Sequence, residues 1–163
     1  MTGALSLCRK EFNAYFDSPV AYVFVVSFLV VTYWFFFRGF FLTNQIQMRD
    51  YFSFLPWVFL IFIPAVTMRL WAEEKKMGTV EILLTLPVRE YELVLGKFMA
   101  GFLFVFVSVF FSFSLPLTLG FLGELDWGPV IGGYLGTCLL GGAYLSVGLF
   151  LSNFTKNQIV AFI

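Results

Sequence analysis

Four stretches of the chain run without a single Asp, Glu, Lys or Arg: Val20–Phe37, Tyr51–Met68, Phe98–Gly123 and Trp127–Thr155, of 18, 18, 26 and 29 residues. A helix needs about 20 apolar residues to cross roughly 30 Å of hydrocarbon. Inside lipid every backbone polar group must find its partner within the segment or across a closed barrel. Barrel strands alternate apolar and polar residues over about ten positions, and these runs do not alternate. The sequence therefore reads as an all-α integral membrane protein. Its four transmembrane helices are expected at 19–42, 51–69, 97–123 and 127–152, within a single transmembrane domain over 1–163. Hydrophobic residues are 60% of the chain and charged residues 12%, against about 25% charged in soluble domains. A chain of 163 residues cannot enclose so much apolar surface in a core of its own, because small domains leave much of their surface exposed.

The same composition removes several function classes. Net charge is zero, so no global field favours nucleic acid. Histidine is absent, which removes the commonest metal ligand and proton relay. Cys8 and Cys138 are the only cysteines, and their spacing suits neither a metal site nor a disulfide framework. The phosphate-binding pattern G-x-x-x-x-G-K-[ST] does not occur; the one Gly-Lys, Gly96-Lys97, is followed by Phe98. No Asp or Glu lies inside an apolar run, where acid–base chemistry or proton coupling would need one. Accordingly no catalytic, cofactor-binding or metal-ligating residue is assigned, and no cofactor is expected. The first apolar run is longer than a signal-peptide core and lacks a small-residue cleavage site, so it reads as a retained span.

Orientation follows from the basic residues. With a cytoplasmic N-terminus, Arg9, Lys10, Arg69, Lys75, Lys76, Arg89, Lys97 and Lys156 fall inside or at the inner boundary, and only Arg38 and Arg49 fall outside. Eight against two obeys the positive-inside rule. The outer loops, Thr43–Asp50 and Glu124–Asp126, are short, and the one sizeable polar segment, 70–90, faces the cytoplasm.

Several features read as structural. Pro56, Pro64 and Pro116 sit within spans, where proline kinks a helix and neighbours satisfy the freed carbonyl. Gly128, Gly132 and Gly136 recur every four residues in the fourth span, continued by Thr137 and Gly141, a small-residue strip that permits close helix packing. Phe35–Phe37, Trp34, Trp57 and Trp127 read as interfacial anchors and lipid-facing bulk. Residues 1–18 interleave Leu5, Leu7, Phe12, Tyr15 and Phe16 with Arg9, Lys10 and Glu11 ahead of Ser18-Pro19, which suits an amphipathic elbow helix lying in the inner interface.

The segment "RLWAEEKKMGTVEILLTLPVRE", Arg69–Glu90, concentrates charge between two greasy spans. Ala72–Met77 form a charged turn or helix end, capped by Gly78. Thr79 then N-caps a short helix that places Val80, Leu83 and Leu84 on one apolar face and stops at Pro87. About two turns of helix are not stable alone in water. Such a helix docks on the membrane surface or in a partner's groove; the plainer reading is a solvated connector.

The stretch "IPAVTMRLWAEEKKMGTVEILLTLPV", with "VLGKF" after it, closely resembles the signature region of ABC-2 type permeases, the membrane subunits of ABC transporters. "YFDSPVAYVF" resembles the start of that family's first span, and "DWGPVIGGYLG" with "GLFLSNFTKNQIVAFI" its fourth span and following turn. Gliding-motility and copper-processing type permeases resemble the chain most nearly. The resemblance implies that the loop carries a coupling helix seated in a separate ATP-binding subunit, through Glu73, Glu74, Lys75, Lys76, Gly78, Thr79, Val80, Glu81, Leu83 and Leu84. It also implies a second permease copy or related permease as partner, transport (export) as the activity, and the bacterial plasma (inner) membrane as the location. Permeases of this family usually have six spans; residues 158–163 read as the start of a fifth, so the remainder is expected to be missing. A non-transporting membrane scaffold that docks a cytoplasmic partner stands as the alternative. Neither reading identifies the transported substrate.

Overall fold

The structure, a computed structural model, describes residues 2–43, 48–78 and 89–154. Among these residues it forms helices and no strand. The helices are α1 (Thr2–Phe16), α2 (Pro19–Thr43), α3 (Arg49–Met77), α4 (Glu90–Phe111), α5 (Ser114–Leu122) and α6 (Trp127–Ser152). Four segments are long and apolar enough to cross a membrane: Ala21–Phe41, Arg49–Met68, Tyr91–Leu122 and Trp127–Ser152. The third is built from α4 and α5 together. The protein is thus an all-helical, multi-pass integral membrane protein.

The bundle is organised around α3, which packs against α2, α4 and α6. Tyr51, Leu55, Phe59, Ile63 and Val66 are buried, spaced by three or four as one face of a 3.6-residue helix requires, with Val58 and Thr67 buried beside them. Trp57, Leu60 and Ile61 on the other face are exposed, and in this chain exposure means lipid. Pro56 and Pro64 lie inside α3 without interrupting it.

The fit of α6 against α3 depends on glycine, though only in part on the strip the sequence singles out. A Cβ built on Gly133 would run into the Phe52 ring. One built on Gly141 would lie 3.2 Å from Val105 of α4 and 3.5 Å from Phe59, and one on Gly148 would lie 2.6 Å from Thr67 Oγ1. Phe52, Phe59 and Thr67 are successive knobs of α3, and the glycines leave the holes they fill; without a hydrophobic drive in lipid, such close approach carries the association. Gly132 and Gly136 have no neighbouring atom within 4 Å of a built Cβ, and Gly128 meets only its own Asp126 side chain at 3.5 Å. The strip therefore divides: Thr137 and Gly141 turn inward and are buried, while Gly128, Gly132 and Gly136 face out of the subunit.

The third span departs from a single continuous helix. Its helix begins at Glu90, and it breaks at Ser112–Phe113. Pro116 has no N–H, so the Ser112 carbonyl loses its helical partner four residues on. Two other donors replace it: the Leu115 amide at 3.1 Å and the Tyr134 hydroxyl of α6 at 3.0 Å. In hydrocarbon such replacement is the condition for a break to exist at all.

One reading of the aromatic run needs correction. Phe35 and Phe37 are exposed with Trp34, but Phe36 is 2% exposed. Three consecutive residues of a helix are spread through about 200°, so they cannot share one lipid-facing side.

These contacts set an expectation for stability. Gly148→Val pushes a branched side chain into buried Thr67 and should cost roughly 1–3 kcal/mol by overpacking. Gly132→Leu meets open space and should leave subunit stability unchanged. Thermal unfolding of both variants in detergent checks this; an equal loss for the two would contradict the division of the strip.

Candidate functional site

The charged end of α3 continues the span as helix. The apolar part closes at Met68, yet α3 runs on to Met77. Its sequence there, Arg-Leu-Trp-Ala-Glu-Glu-Lys-Lys-Met, is rich in strong helix formers. The nine residues from Arg69 to Met77 extend the helix by roughly 13 Å at 1.5 Å each. Gly78 then adopts φ 70°, the left-handed conformation in which glycine ends helices at little cost. The expected helix end capped by Gly78 is thus the form the chain takes. Glu73, Glu74, Lys75 and Lys76 lie on the last turns of α3, beyond the apolar span. Thr79, Val80, Glu81, Leu83 and Leu84, with the short helix expected there, lie outside the described residues.

Arg89, with extended backbone (φ −71°, ψ 142°), is the N-cap of α4. Its carbonyl accepts from the amides of Glu92 at 2.9 Å and Leu93 at 3.3 Å. Arg89 Nη1 donates to Tyr91 Oη at 3.2 Å, and the guanidinium carbon lies 6.0 Å from the Tyr91 ring centroid. Glu92 places an acid in the first turn of α4, where the helix dipole favours negative charge.

Both flanks of residues 79–88 are held by α1. Tyr15 Oη donates to the Val66 carbonyl of α3 at 3.2 Å, and its ring stacks on Phe104 of α4 with centroids 4.9 Å apart. Lys97 Nζ lies 3.3 Å from Glu11 Oε1, with Lys97 fully buried and Glu11 15% exposed. A fully buried ammonium has to be paired, and Glu11 is the acid that α1 brings to it. Sequence reading places Lys97 at the membrane boundary and the first helix in the interface. It misses their union, although a lone lysine among apolar neighbours is itself the signal that an acid must come from elsewhere in the chain. Cys8 also packs inward, and burial pushes its thiol up from the ordinary range, which suits packing rather than nucleophilic chemistry.

A second feature lies at the opposite end of α3. A cavity of about 660 Å³ opens between the starts of α3 and α6, lined by Met48, Arg49, Phe52, Ser53, Leu125, Asp126, Pro129 and Val130. Asp126 Oδ1 accepts from the Gly128 amide at 3.1 Å and so caps α6 rather than standing free for chemistry.

Comparison with known proteins gives one family. The model of the family described as "ABC-2 family transporter protein" matches residues 47–163, which covers α3 to α6 and the segment between α3 and α4. No curated protein and no solved structure matches the chain.

The clamp by α1 has a direct test. Glu11→Gln takes the carboxylate away from the buried Lys97 ammonium, and breaking a buried pair on one side costs roughly 3–5 kcal/mol. Glu11→Gln combined with Lys97→Met removes both charges and should recover most of that loss. Thermal unfolding of the two variants decides; a single variant as stable as wild type would show that the pair holds nothing.

Proposed function

The chain belongs to the ABC-2 transporter family and is a membrane permease component of an ABC transporter, and on that premise we propose that its segment 79–88, carried on α3, docks a separate ATP-binding subunit. The observation that carries this reading is the continuity of α3. One helix runs from Arg49 to Met77, through the whole apolar span and roughly 13 Å beyond it. Glu73, Glu74, Lys75 and Lys76 supply charge of both signs at that end, suited to orienting a partner. Val80, Leu83 and Leu84 supply an apolar face for its groove. Closure of two ATPases on ATP would displace this end of α3, and α1, tied to α3 and α4 together, would move the two flanks as one unit.

Further parts of the proposal follow from the same premise. The eight-to-two distribution of basic residues supports a cytoplasmic N-terminus, and the family resemblance suggests a bacterial plasma membrane location. Absence of any phosphate-binding loop from this sequence supports an ATPase on another chain. The outward strip of Gly128, Gly132 and Gly136 suits close approach of a second permease copy or related permease. Here Gly132→Leu, neutral for the subunit itself, should reduce the proportion of dimer in detergent. Substrate movement is proposed to be outward.

Docking is tested by substitution on the apolar face. Burying one Leu contributes roughly 1.5–3 kcal/mol, and Leu83→Asp also buries a charge. Affinity for the ATPase should therefore fall at least tenfold, while Gln47→Asp at the other side of the membrane leaves it unchanged. The readout is ATPase co-purification together with ATP hydrolysis in reconstituted membranes. Wild-type binding and hydrolysis by a normally inserted Leu83→Asp protein would reduce the segment to a connector.

A further inference from the structure

The crevice between the starts of α3 and α6 has a charged mouth and an apolar floor. Arg49 and Asp126 are exposed, whereas Met48 and Val130 are buried and Phe52 is half-buried. Phe52 is held from behind: its ring occupies the space that Gly133 leaves free and meets the Tyr134 ring edge-on, with centroids 5.3 Å apart. The two charges are not spent on each other, since no ion pair joins Arg49 to Asp126. One oxygen of Asp126 accepts from the Gly128 amide at 3.1 Å, and the other accepts from no described residue. Arg49 offers its carbonyl to the Ser53 hydroxyl at 2.9 Å, and among the described residues its guanidinium has no partner. The crevice also stands at a defined depth. Two apolar spans begin beside it, at Arg49 and at Trp127, and Val130 lies about 6 Å further along than Asp126 at 1.5 Å per residue. The border between head groups and hydrocarbon therefore passes between the two charges and the floor.

We propose that this crevice holds one phospholipid with a zwitterionic, ammonium-bearing head group. Its phosphate lies on Arg49, its ammonium on the open oxygen of Asp126, and the upper part of one chain against Phe52, Pro129 and Val130. Charges of both signs at the mouth select the head group. A purely anionic lipid would satisfy Arg49 and be opposed by Asp126, and a neutral amphiphile would leave both charges without a partner of opposite sign. The apolar floor, placed on the hydrocarbon side of the border, selects a molecule with a chain over a free phosphate. A volume of about 660 Å³ lies within the range of sites that take small ligands. A lipid bridging Arg49 and Asp126 also ties the start of α3 to the start of α6, the pair of helices that Phe52 and Gly133 already bring together. The site rests neither on the docking of an ATPase nor on which end of the bundle faces the cytoplasm.

The experiment uses the full chain, without any ATPase, in nanodiscs of mixed phosphatidylethanolamine and phosphatidylglycerol. In parallel samples a trace of one lipid or the other carries a diazirine on one chain close to its glycerol, and labelled residues are mapped by mass spectrometry after irradiation. Phe41, exposed to lipid at the same end of α2, reports labelling by bulk lipid. Phosphatidylethanolamine should label Phe52, Ser53 and Val130 in preference to phosphatidylglycerol, with no preference at Phe41. Arg49→Gln should lower crevice labelling by phosphatidylethanolamine roughly fivefold, the effect of losing one charge-assisted contact. Asp126→Asn, which keeps a capping side chain for α6, should abolish the preference between the two lipids while leaving the crevice labelled. A crevice labelled by the two lipids in the ratio found at Phe41 overturns the proposal in wild type alone, whether or not the variants fold. A preference that survives both Arg49→Gln and Asp126→Asn overturns it as well.

Discussion

Hydrocarbon offers no hydrogen-bond partner, and the rest of this structure follows from that refusal. It forces the four apolar runs into helices whose backbones satisfy themselves. It also prices each exception. Lys97 is tolerated in the third span because Glu11 reaches it from α1. The broken helix at Ser112 is tolerated because Tyr134 reaches its carbonyl from α6. Each irregular feature of one helix thus fixes the position of another. The bundle is held by such obligations together with glycine-lined close contacts, in place of the water-driven collapse that holds a soluble core.

Much of this was legible in the sequence because it depends on local pattern alone. Uncharged length locates the spans, and the run of helix formers closed by Gly78 marks the end of α3. Features that need two helices at once were not legible. The strip from Gly128 to Gly141 repeats at four residues, but a four-residue step turns by about 400°, so the strip winds around α6. Which part of it faces α3 depends on where Phe52, Phe59 and Thr67 stand. Phe36 separates from its neighbours for the same angular reason. Glu11 and Lys97 lie far apart in sequence, and their union is visible only once α1 lies along α4. For the candidate site, the resemblance seen in the sequence proposes Glu73 to Leu84 as the contact segment. The structure adds what flanks it, a helix that overshoots the membrane on one side and a clamped helix start on the other.

The functional reading joins these parts through α3. At one end it carries Glu73 to Lys76 and the Gly78 turn; along its length it fills the holes of α6; at the other it brings Tyr51 to the break in the third span. A permease has to convert an event at a nucleotide-bound partner into rearrangement within the membrane. A single helix packed against α2, α4 and α6 is placed to transmit it.

All of this requires that the charged end of α3 lie on the side where ATP is found. The most direct measurement is site-specific thiol labelling of intact cells with a membrane-impermeant reagent, in a chain whose Cys8 and Cys138 are replaced by serine. Glu124→Cys, exposed between α5 and α6, should be modified, and Lys76→Cys should be spared until the membrane is permeabilised. Labelling of Lys76→Cys with protection of Glu124→Cys would place segment 79–88 outside the cell and contradict the assignment of a cytoplasmic ATPase to it.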